Sequence, residues 1–195
     1  MVSKRISLSL SDAISLAAKL FPVETNETVL NDLLDYVRTR YRGYLLDSGF
    51  PYDMVDAVLN ARGHDPYLAY ETIQAFSPWV KRGNWQDLLD SYARCVRITR
   101  DQETTYKSDE ALLVEPASKA LYQAYRGAAA RVSAHRTVDE LFSALMDLIP
   151  PIRRFFDDVL VMDEDVAIRQ NRLGLLQAIS SLPKDIVDLT VMEGF

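Results

Sequence analysis

Two arginine-rich stretches are the parts of this sequence best suited to chemistry, because guanidinium groups gathered on a helix can bind an anion such as a phosphate. Residues 36–46 contain three arginines and no carboxylate, and residues 81–100 contain five basic and two acidic side chains. Arg38 and Arg42 stand one helical turn apart, where like charges repel unless an anion compensates them. The candidate anion-binding residues in the second stretch are Lys81, Arg82, Arg94, Arg97 and Arg100.

A simpler interpretation of the same arginines stays open. Asp35 precedes Arg38 by three residues and Asp90 precedes Arg94 by four. Carboxylates at these spacings form ordinary surface ion pairs on a helix, and such pairs contribute little to stability. The sequence alone does not choose between an anion site and a solvated, charge-paired face.

The arginines near the end of the chain have different expected roles. Arg172 falls on the same side of its helix as three apolar residues, Ile168, Leu175 and Ile179. A buried guanidinium needs a carboxylate or several carbonyls, so we expect Arg172 to have a structural role. Its expected partners are Asp157 or Asp158, or carbonyls of the loop between them and Met162. Arg169 projects outward on its helix and is a further candidate for anion contact, together with Arg153 and Arg154.

Residues that usually carry catalysis or bind metals are scarce. Metal sites need several imidazole or thiolate ligands at close spacing, but His64, His135 and Cys95 are far apart in the sequence. Neither histidine accompanies a nucleophile motif, and no glycine-rich phosphate loop is present. Acidic pairs such as Asp157 and Asp158 are commonplace at helix ends. We therefore expect no metal, no bound cofactor and no catalysis by this chain alone.

The composition indicates a helical globular protein. The chain has 195 residues, of which 48% are hydrophobic, with only 7 glycines and 8 prolines, which disfavours disorder and turn-rich β folds. Its net charge of −6 argues against a protein that coats nucleic acid indiscriminately. A single cysteine calls for no oxidising compartment, and no stretch approaches the roughly 20 apolar residues of a membrane span. These features favour a cytoplasmic protein.

Apolar residues recur at helical spacing almost throughout, which predicts an all-α fold. Asn26 is the expected N-cap of a long helix, Thr137 begins a capping box with Glu140, and the acidic residues 163–165 precede the last helix. Prolines predict where two helices stop, one at 77–78 and one at 150–151. Residues 101–109 are polar and predict a loop. The expected division is an N-terminal helical region, 1–80, and a C-terminal helical bundle, 81–195.

Three segments carry a specific resemblance to a known family. Residues 155–162 read Phe-Phe-Asp-Asp-Val-Leu-Val-Met, and residues 169–176 read Arg-Gln-Asn-Arg-Leu-Gly-Leu-Leu. Together they resemble the C-terminal end of the β subunit of bacterial-type glycyl-tRNA synthetase. Residues 92–98 look like that subunit's Arg-Val-x-Asn-Ile helix, with Arg97 in place of the asparagine. Residues 38–49 and 53–58 resemble the preceding helical segment, so the resemblance extends over about residues 29 to 190.

The resemblance implies an all-α anticodon-binding bundle of the DALR type, preceded by a helical stalk or body-tail segment, in the C-terminal part of that subunit. The implied role is non-catalytic recognition of glycine tRNA, while ATP and Mg²⁺ are used by the catalytic subunit of the parent ligase. Implied partners are the tRNA, the α subunit and the rest of the β subunit, with no membrane or DNA. The alternative is a helical module that docks the synthetase subunits without binding RNA by itself.

Anticodon recognition also implies stacking, because unpaired bases stack on exposed aromatic rings. Most aromatic residues at helical spacing belong to a core, and the sequence does not select among the candidates, Trp79, Tyr106, Tyr122, Tyr125 and Phe195.

Overall fold

The computed structural model describes residues 1–20, 22 and 26–195, and the regular structure of these residues is helical, with no β-strand. The predicted all-α class is confirmed. Two compact units are formed, Met1–Pro78 with Asp185–Glu193, and Trp79–Lys184 with Gly194–Phe195. This differs from the expected division into 1–80 and 81–195, because a stretch near the end of the chain returns to the first unit.

The first unit contains helices α1 (Leu10–Ala18), α2 (Glu27–Asp47) and α3 (Tyr52–Arg62), and most of α4 (Pro66–Val80). Helix α2 packs against both α1 and α3. The unit has its own core of fully buried apolar side chains from α2, α3 and α4: Leu45, Val55, Val58, Ile73 and Phe76.

The returning stretch 185–193 is held on α3 by backbone and side-chain hydrogen bonds. The amide of Asp188 donates to the carbonyl of Ala57 (2.8 Å), and the Asn60 amide group donates to the Asp188 carboxylate (2.9 Å). Arg62 Nε donates to the carbonyl of Asp185 (3.0 Å). Partners this far apart in sequence leave no periodic signal, so the sequence did not indicate this attachment.

The second unit contains α5 (Trp85–Thr99), α6 (Pro116–His135), α7 (Val138–Asp158) and α8 (Val166–Ser180). Helix α6 packs along α7, and α5 packs against both α7 and α8. All four helices contribute fully buried side chains to the core, among them Leu89, Leu121, Phe142, Phe155 and Leu176.

The predicted helix starts are confirmed by their capping hydrogen bonds. The side chain of Asn26 accepts from the amide of Val29, and that of Thr137 accepts from the amide of Glu140. Asp165 caps α8 by accepting from the first amides of that helix. Each cap satisfies an amide that has no partner within its own helix.

The two helix ends predicted from prolines are wrong. Helix α4 continues past Pro78 to Val80, and α7 continues past Pro150 and Pro151 to Asp158. A proline removes a donor from the helical ladder, at a cost of about 3 kcal/mol in a helix interior. Burial of the apolar side chains on both sides of the proline pair, including Ile149 and Ile152, offsets that cost in α7.

Candidate nucleic-acid interface

Helix α5 carries two exposed arginines, and a third directly follows its last residue. The other side of the helix is buried in the second unit, and Arg94, Arg97 and Arg100 are exposed at intervals of three residues. Within the part of the chain that the structure describes, no carboxylate lies within 4.0 Å of these guanidinium groups. Their positive charges are therefore uncompensated by direct ion pairs.

The carboxylates of α5 are bound by other side chains. Asp87 pairs with Arg153 of α7, and Asp90 accepts a hydrogen bond from Gln86 (2.9 Å). The ion pair considered between Asp90 and Arg94 is therefore not formed. This arrangement leaves the arginines available to an external anion.

Two of the exposed arginines lie over aromatic rings. The guanidinium carbon of Arg94 is 4.3 Å from the ring centre of Phe156 in α7, and that of Arg97 is 5.7 Å from the ring centre of Phe195. Both distances are within the range of a cation–π contact. We call these two arginines and two rings the α5 arginine face.

Arg153 and Arg154 of α7 are exposed but charge-paired. Arg153 pairs with Asp87, which places it beside α5, and Arg154 pairs with Asp158 one turn later in its own helix (3.3 Å). Ion pairs between exposed groups are weak, so either arginine could exchange its carboxylate for a phosphate at small cost.

The remaining cations of residues 81–100 are exposed at the start of α5. Lys81 and Arg82 precede the helix, and the guanidinium carbon of Arg82 lies 3.4 Å from the ring centre of Trp79. Trp79 itself is buried, and its indole N–H donates to Asp139 (2.7 Å). Trp79 is therefore a core residue rather than an exposed stacking ring.

The arginines of α2 are engaged within the first unit. Arg42 donates to both carboxylate oxygens of Asp56 in α3, at 2.6 and 2.9 Å, and these bonds hold the pKa of Asp56 below its ordinary value. Arg38 donates to the side-chain oxygen of Asn60 (2.5 Å), not to Asp35. These two arginines link α2 to α3, which the sequence did not indicate.

Arg172 is buried, as predicted, with 5% of its side chain exposed, but two of its expected partners are wrong. It pairs with Glu115 and with Asp163 (2.7 Å), and donates to the carbonyl of Leu160 (2.7 Å). The Leu160 carbonyl belongs to the loop that was expected to supply partners.

The aspartates expected to hold Arg172 are elsewhere. Asp158 pairs with Arg154, and Asp157 is exposed. Both stand at the end of α7, whereas the loop carbonyls and Asp163 come after α7 ends, where the chain turns toward α8. Closeness in sequence therefore predicted the loop that contacts Arg172, but it did not predict which carboxylates pair with Arg172.

Arg169 also differs from its expected outward position. Its side chain is half-buried, and Nη1 donates to the carbonyl of Asp163 (2.6 Å). The same aspartate binds Arg172 through its carboxylate. Arg169 therefore helps to hold the loop before α8.

The α8 motif at 169–176 also anchors the loop at 101–109. Asn171 is buried and exchanges two hydrogen bonds with the backbone of Asp109, at 2.5 and 3.0 Å. Gln177 accepts from the amide of Tyr106 (2.8 Å). At Gly174 an added Cβ would lie 3.0 Å from loop backbone atoms. These roles were not predicted from the sequence. The signal available there is the spacing of three residues that separates Asn171, Gly174 and Gln177.

In the described part of the second unit, the remaining sequence candidates make no ring or charge contact with the α5 arginine face. Both histidines are exposed, and the rings of Tyr106, Tyr122 and Tyr125 are half-buried. Among the described residues, no three His, Cys, Asp or Glu side chains are grouped so as to hold a metal ion. No helix in the described ranges combines the length and apolar composition needed to cross a membrane.

A protein-family comparison matches most of the second unit. The family described as DALR anticodon binding domain matches residues 88–191. This range contains α6, α7 and α8 and all of α5 except its first three residues. It includes Arg94, Arg97 and Phe156.

Curated relatives match a longer part of the chain. It is 32% identical over 199 residues to the glycine–tRNA ligase β subunit of Aliivibrio fischeri, covering 99% of this chain and 29% of that subunit. It is 34% identical over 165 residues to the corresponding subunit of Geotalea daltonii, covering 83% and 24%.

A plant protein is similar over the whole chain. The glycine–tRNA ligase, chloroplastic/mitochondrial 2, of Arabidopsis thaliana is 28% identical over 197 residues, which cover 100% of this chain and 18% of the plant protein. The chain therefore spans less than a third of the length of each of these relatives.

Proposed function

Because the chain belongs to the family of DALR anticodon-binding domains, we propose that it recognises a tRNA without catalysing a reaction itself. The names of its relatives make the tRNA for glycine the proposed ligand. In this proposal the chain holds the anticodon end, while ATP- and Mg²⁺-dependent glycylation takes place in the catalytic subunit of the ligase.

The observation that carries the proposal is the row of exposed arginines on α5 and directly after it, which includes the α5 arginine face. The chain has a net charge of −6, so its mean field opposes RNA binding. Charges on a protein surface are screened beyond about 8 to 10 Å at physiological salt, so local charge decides whether a phosphate binds. Arg94, Arg97 and Arg100 supply local positive charge without paired carboxylates.

This arrangement favours an oriented contact over indiscriminate coating of RNA. The acidic residues are concentrated near the end of the chain, where residues 155–195 contain eight acidic and three basic side chains. RNA would therefore be attracted to the arginines of α5 and repelled from the loop before α8. Arginine contacts with phosphates would position the tRNA, and contacts with bases would provide specificity.

The test is a binding titration of the chain with glycine tRNA at two salt concentrations. We expect affinity to fall as salt rises, because phosphate contacts release counterions. The double variant Arg94→Ala/Arg97→Ala should bind at least about tenfold more weakly, if each arginine contributes the roughly 1 kcal/mol of a charged contact. Arg131→Ala is the matched control, because Arg131 is an exposed arginine of α6 and not of α5; it pairs with Asp147 (2.7 Å).

Two results would contradict the proposal. The first is no detectable complex with glycine tRNA at low salt. The second is equal loss of affinity in the Arg94→Ala/Arg97→Ala variant and the Arg131→Ala control. Equal binding to a tRNA whose anticodon has been exchanged would contradict only the specificity for glycine tRNA.

A second candidate function, docking of another polypeptide, is favoured by a different surface. In the described part of the second unit, the large apolar side chains that are exposed all lie in residues 112–114 and 160–166: Leu112, Val114, Leu160, Met162 and Val166. The two segments are tied together where Arg172 binds Glu115 and the Leu160 carbonyl. Exposed apolar residues grouped in this way are typical of protein–protein contacts.

The charge around this apolar surface favours a basic polypeptide partner. Glu164 and Asp165 are exposed beside Met162 and Val166, so they would repel a phosphate backbone. In this candidate function the surface binds an apolar segment with basic flanks in the rest of the synthetase. Leu160→Ser/Met162→Ser should weaken a complex with the α subunit of glycine–tRNA ligase and leave tRNA affinity unchanged. Loss of tRNA affinity with an intact subunit complex would contradict it.

A further inference from the structure

We propose that Arg94 on Phe156 and Arg97 on Phe195 are two stacking platforms, each of which binds the face of one unpaired RNA base. The inference rests on the proposed function and assigns the chemistry of recognition to particular side chains. The ligand group is the base itself, in addition to the phosphates that any exposed arginine could contact.

Arg94 and Arg97 each lie over an aromatic ring while their side chains stay exposed. The guanidinium carbon of Arg94 lies 4.3 Å from the centre of the Phe156 ring, and Arg94 is nonetheless exposed. A ring on one side limits the rotation of the planar guanidinium and leaves the other side open to solvent. Guanidinium planes stack on bases, so a base can complete a ring–guanidinium–base stack.

The rings beneath the two arginines contact residues of the core. Phe156 is half-buried and makes an edge contact with the fully buried Phe155, with ring centres 5.6 Å apart. Phe195 is placed similarly beside the buried Tyr92, with ring centres 6.1 Å apart. Rings fixed by core residues hold the arginines ready for binding, which lowers the entropy cost of ordering them.

The two platforms lie close together on α5. Arg94 and Arg97 are three residues apart on one helix, which places their backbone positions about 4.5 Å apart along the axis. Neighbouring nucleotides of one single strand can therefore reach both. Arg100 continues the same row but has no aromatic ring beneath it among the described residues. It is suited to a phosphate and provides an internal control.

The experiment separates stacking from charge by replacing arginine with lysine. Lysine keeps the positive charge but lacks the planar guanidinium. The probes are an RNA hairpin with the anticodon stem and loop of glycine tRNA, and the same hairpin with abasic nucleotides at the anticodon. We expect Arg94→Lys/Arg97→Lys to bind the intact hairpin about thirtyfold more weakly, at the lower end of the range measured for two base stacks. Arg100→Lys should bind within about twofold of the unchanged chain, because it retains the charge that a phosphate requires.

The abasic hairpin completes the comparison. The unchanged chain should bind it about thirtyfold more weakly than the intact hairpin, and the lysine double variant should bind both hairpins equally. Phe156→Leu should also weaken binding to the intact hairpin, as the lysine double variant does. Thermal unfolding of each variant checks that the fold is retained.

The outcomes distinguish the inference from the function on which it rests. Equal affinity of the unchanged chain for both hairpins, or no loss in the lysine double variant, overturns the stacking platforms while leaving tRNA binding intact. If the unchanged chain binds neither the hairpin nor the complete tRNA, the proposed function itself fails.

Discussion

The buried guanidinium of Arg172 in α8 binds the carboxylate of Glu115, the residue that immediately precedes α6 and lies 57 residues earlier in the sequence. Arg172 also binds Asp163 and the carbonyl of Leu160. One side chain therefore joins α8, the start of α6 and the loop that follows α7. This junction has direct consequences for stability.

Replacing Arg172 should destabilise the fold strongly. Arg172→Met removes the cation and leaves the carboxylates of Glu115 and Asp163 partly buried without it, so the free energy of unfolding should fall by about 3 kcal/mol. Urea denaturation followed by circular dichroism measures this change. Arg154→Met is the matched control, because it breaks an exposed pair and should cost less than about 1 kcal/mol. Similar losses in the two variants would contradict the role of Arg172.

Stability should depend on pH through the same junction. Burial opposes ionisation of Glu115, but hydrogen bonds from the Ser118 hydroxyl and from the backbone at Glu115, with the charge and hydrogen bond of Arg172, lower its pKa overall. The amide of Asp165 and then Arg172 lower the pKa of Asp163. The unfolded chain therefore binds more protons, and the stabilisation is complete above the unfolded values of about 4.3 for Glu and 3.9 for Asp.

As the pH falls through the lower folded-state pKa values, this stabilisation is lost. We expect the free energy of unfolding to decrease more steeply between pH 5 and pH 3 for the unchanged chain than for Arg172→Met, a range set by these pKa values. Urea denaturation at a series of pH values measures both slopes. Parallel curves would show that Arg172 does not lower the two pKa values.

Gly174 should be intolerant of a side chain. Its added Cβ would lie 3.0 Å from the carbonyl oxygen of Tyr106 and 3.1 Å from the amide of Ser108, both backbone atoms. Gly174→Ala should therefore displace the loop and cost about 1 to 3 kcal/mol, as overpacking does. It should also speed hydrogen exchange at the amides of Tyr106 and Asp109, which donate to α8 side chains.

Gly127 provides the comparison for Gly174. It lies in α6 with nothing within 4 Å of an added Cβ, so Gly127→Ala should raise the free energy of unfolding by about 0.5 to 1 kcal/mol. The two substitutions are chemically identical and should have opposite signs. The same sign for both would mean that contact with the loop does not determine the effect at Gly174.

Cys95 should be unreactive while the protein is folded. Burial raises the pKa of its thiol to about 12, against about 8.5 for an exposed cysteine. At pH 8 a disulfide reagent should modify it only through unfolding, whereas one thiol should react rapidly in denaturant. Labelling followed by absorbance measures both rates. Rapid labelling in native buffer would contradict the packing of α5.

The helices were predictable because their signals are local. Caps at Asn26, Thr137 and Asp165 act within three residues, and apolar spacing of three and four residues identifies the buried side of a helix. The burial of Arg172 followed from the same periodicity. The proline-based ends in α4 and α7 were wrong because packing elsewhere in the helix outweighed a local penalty.

The candidate site was predictable in type but not in detail. The sequence identified arginine-rich stretches, but Arg38 and Arg42 face α3 while Arg94 and Arg97 remain without carboxylate partners. Phe156 was not selected as an aromatic candidate, because its position under Arg94 depends on how α7 packs against α5.

The all-α class, three helix starts, the buried stem of Arg172 and the family resemblance followed from the amino-acid sequence alone. The folded chain was needed to show that Glu115 and Asp163 hold Arg172, and that residues 185–193 return to α3. The difference arises from how far apart along the chain the interacting residues lie. Helix formation depends on hydrogen bonds and side-chain spacing within about four residues, whereas the partner of a charge or a ring depends on which distant segments the core brings into contact.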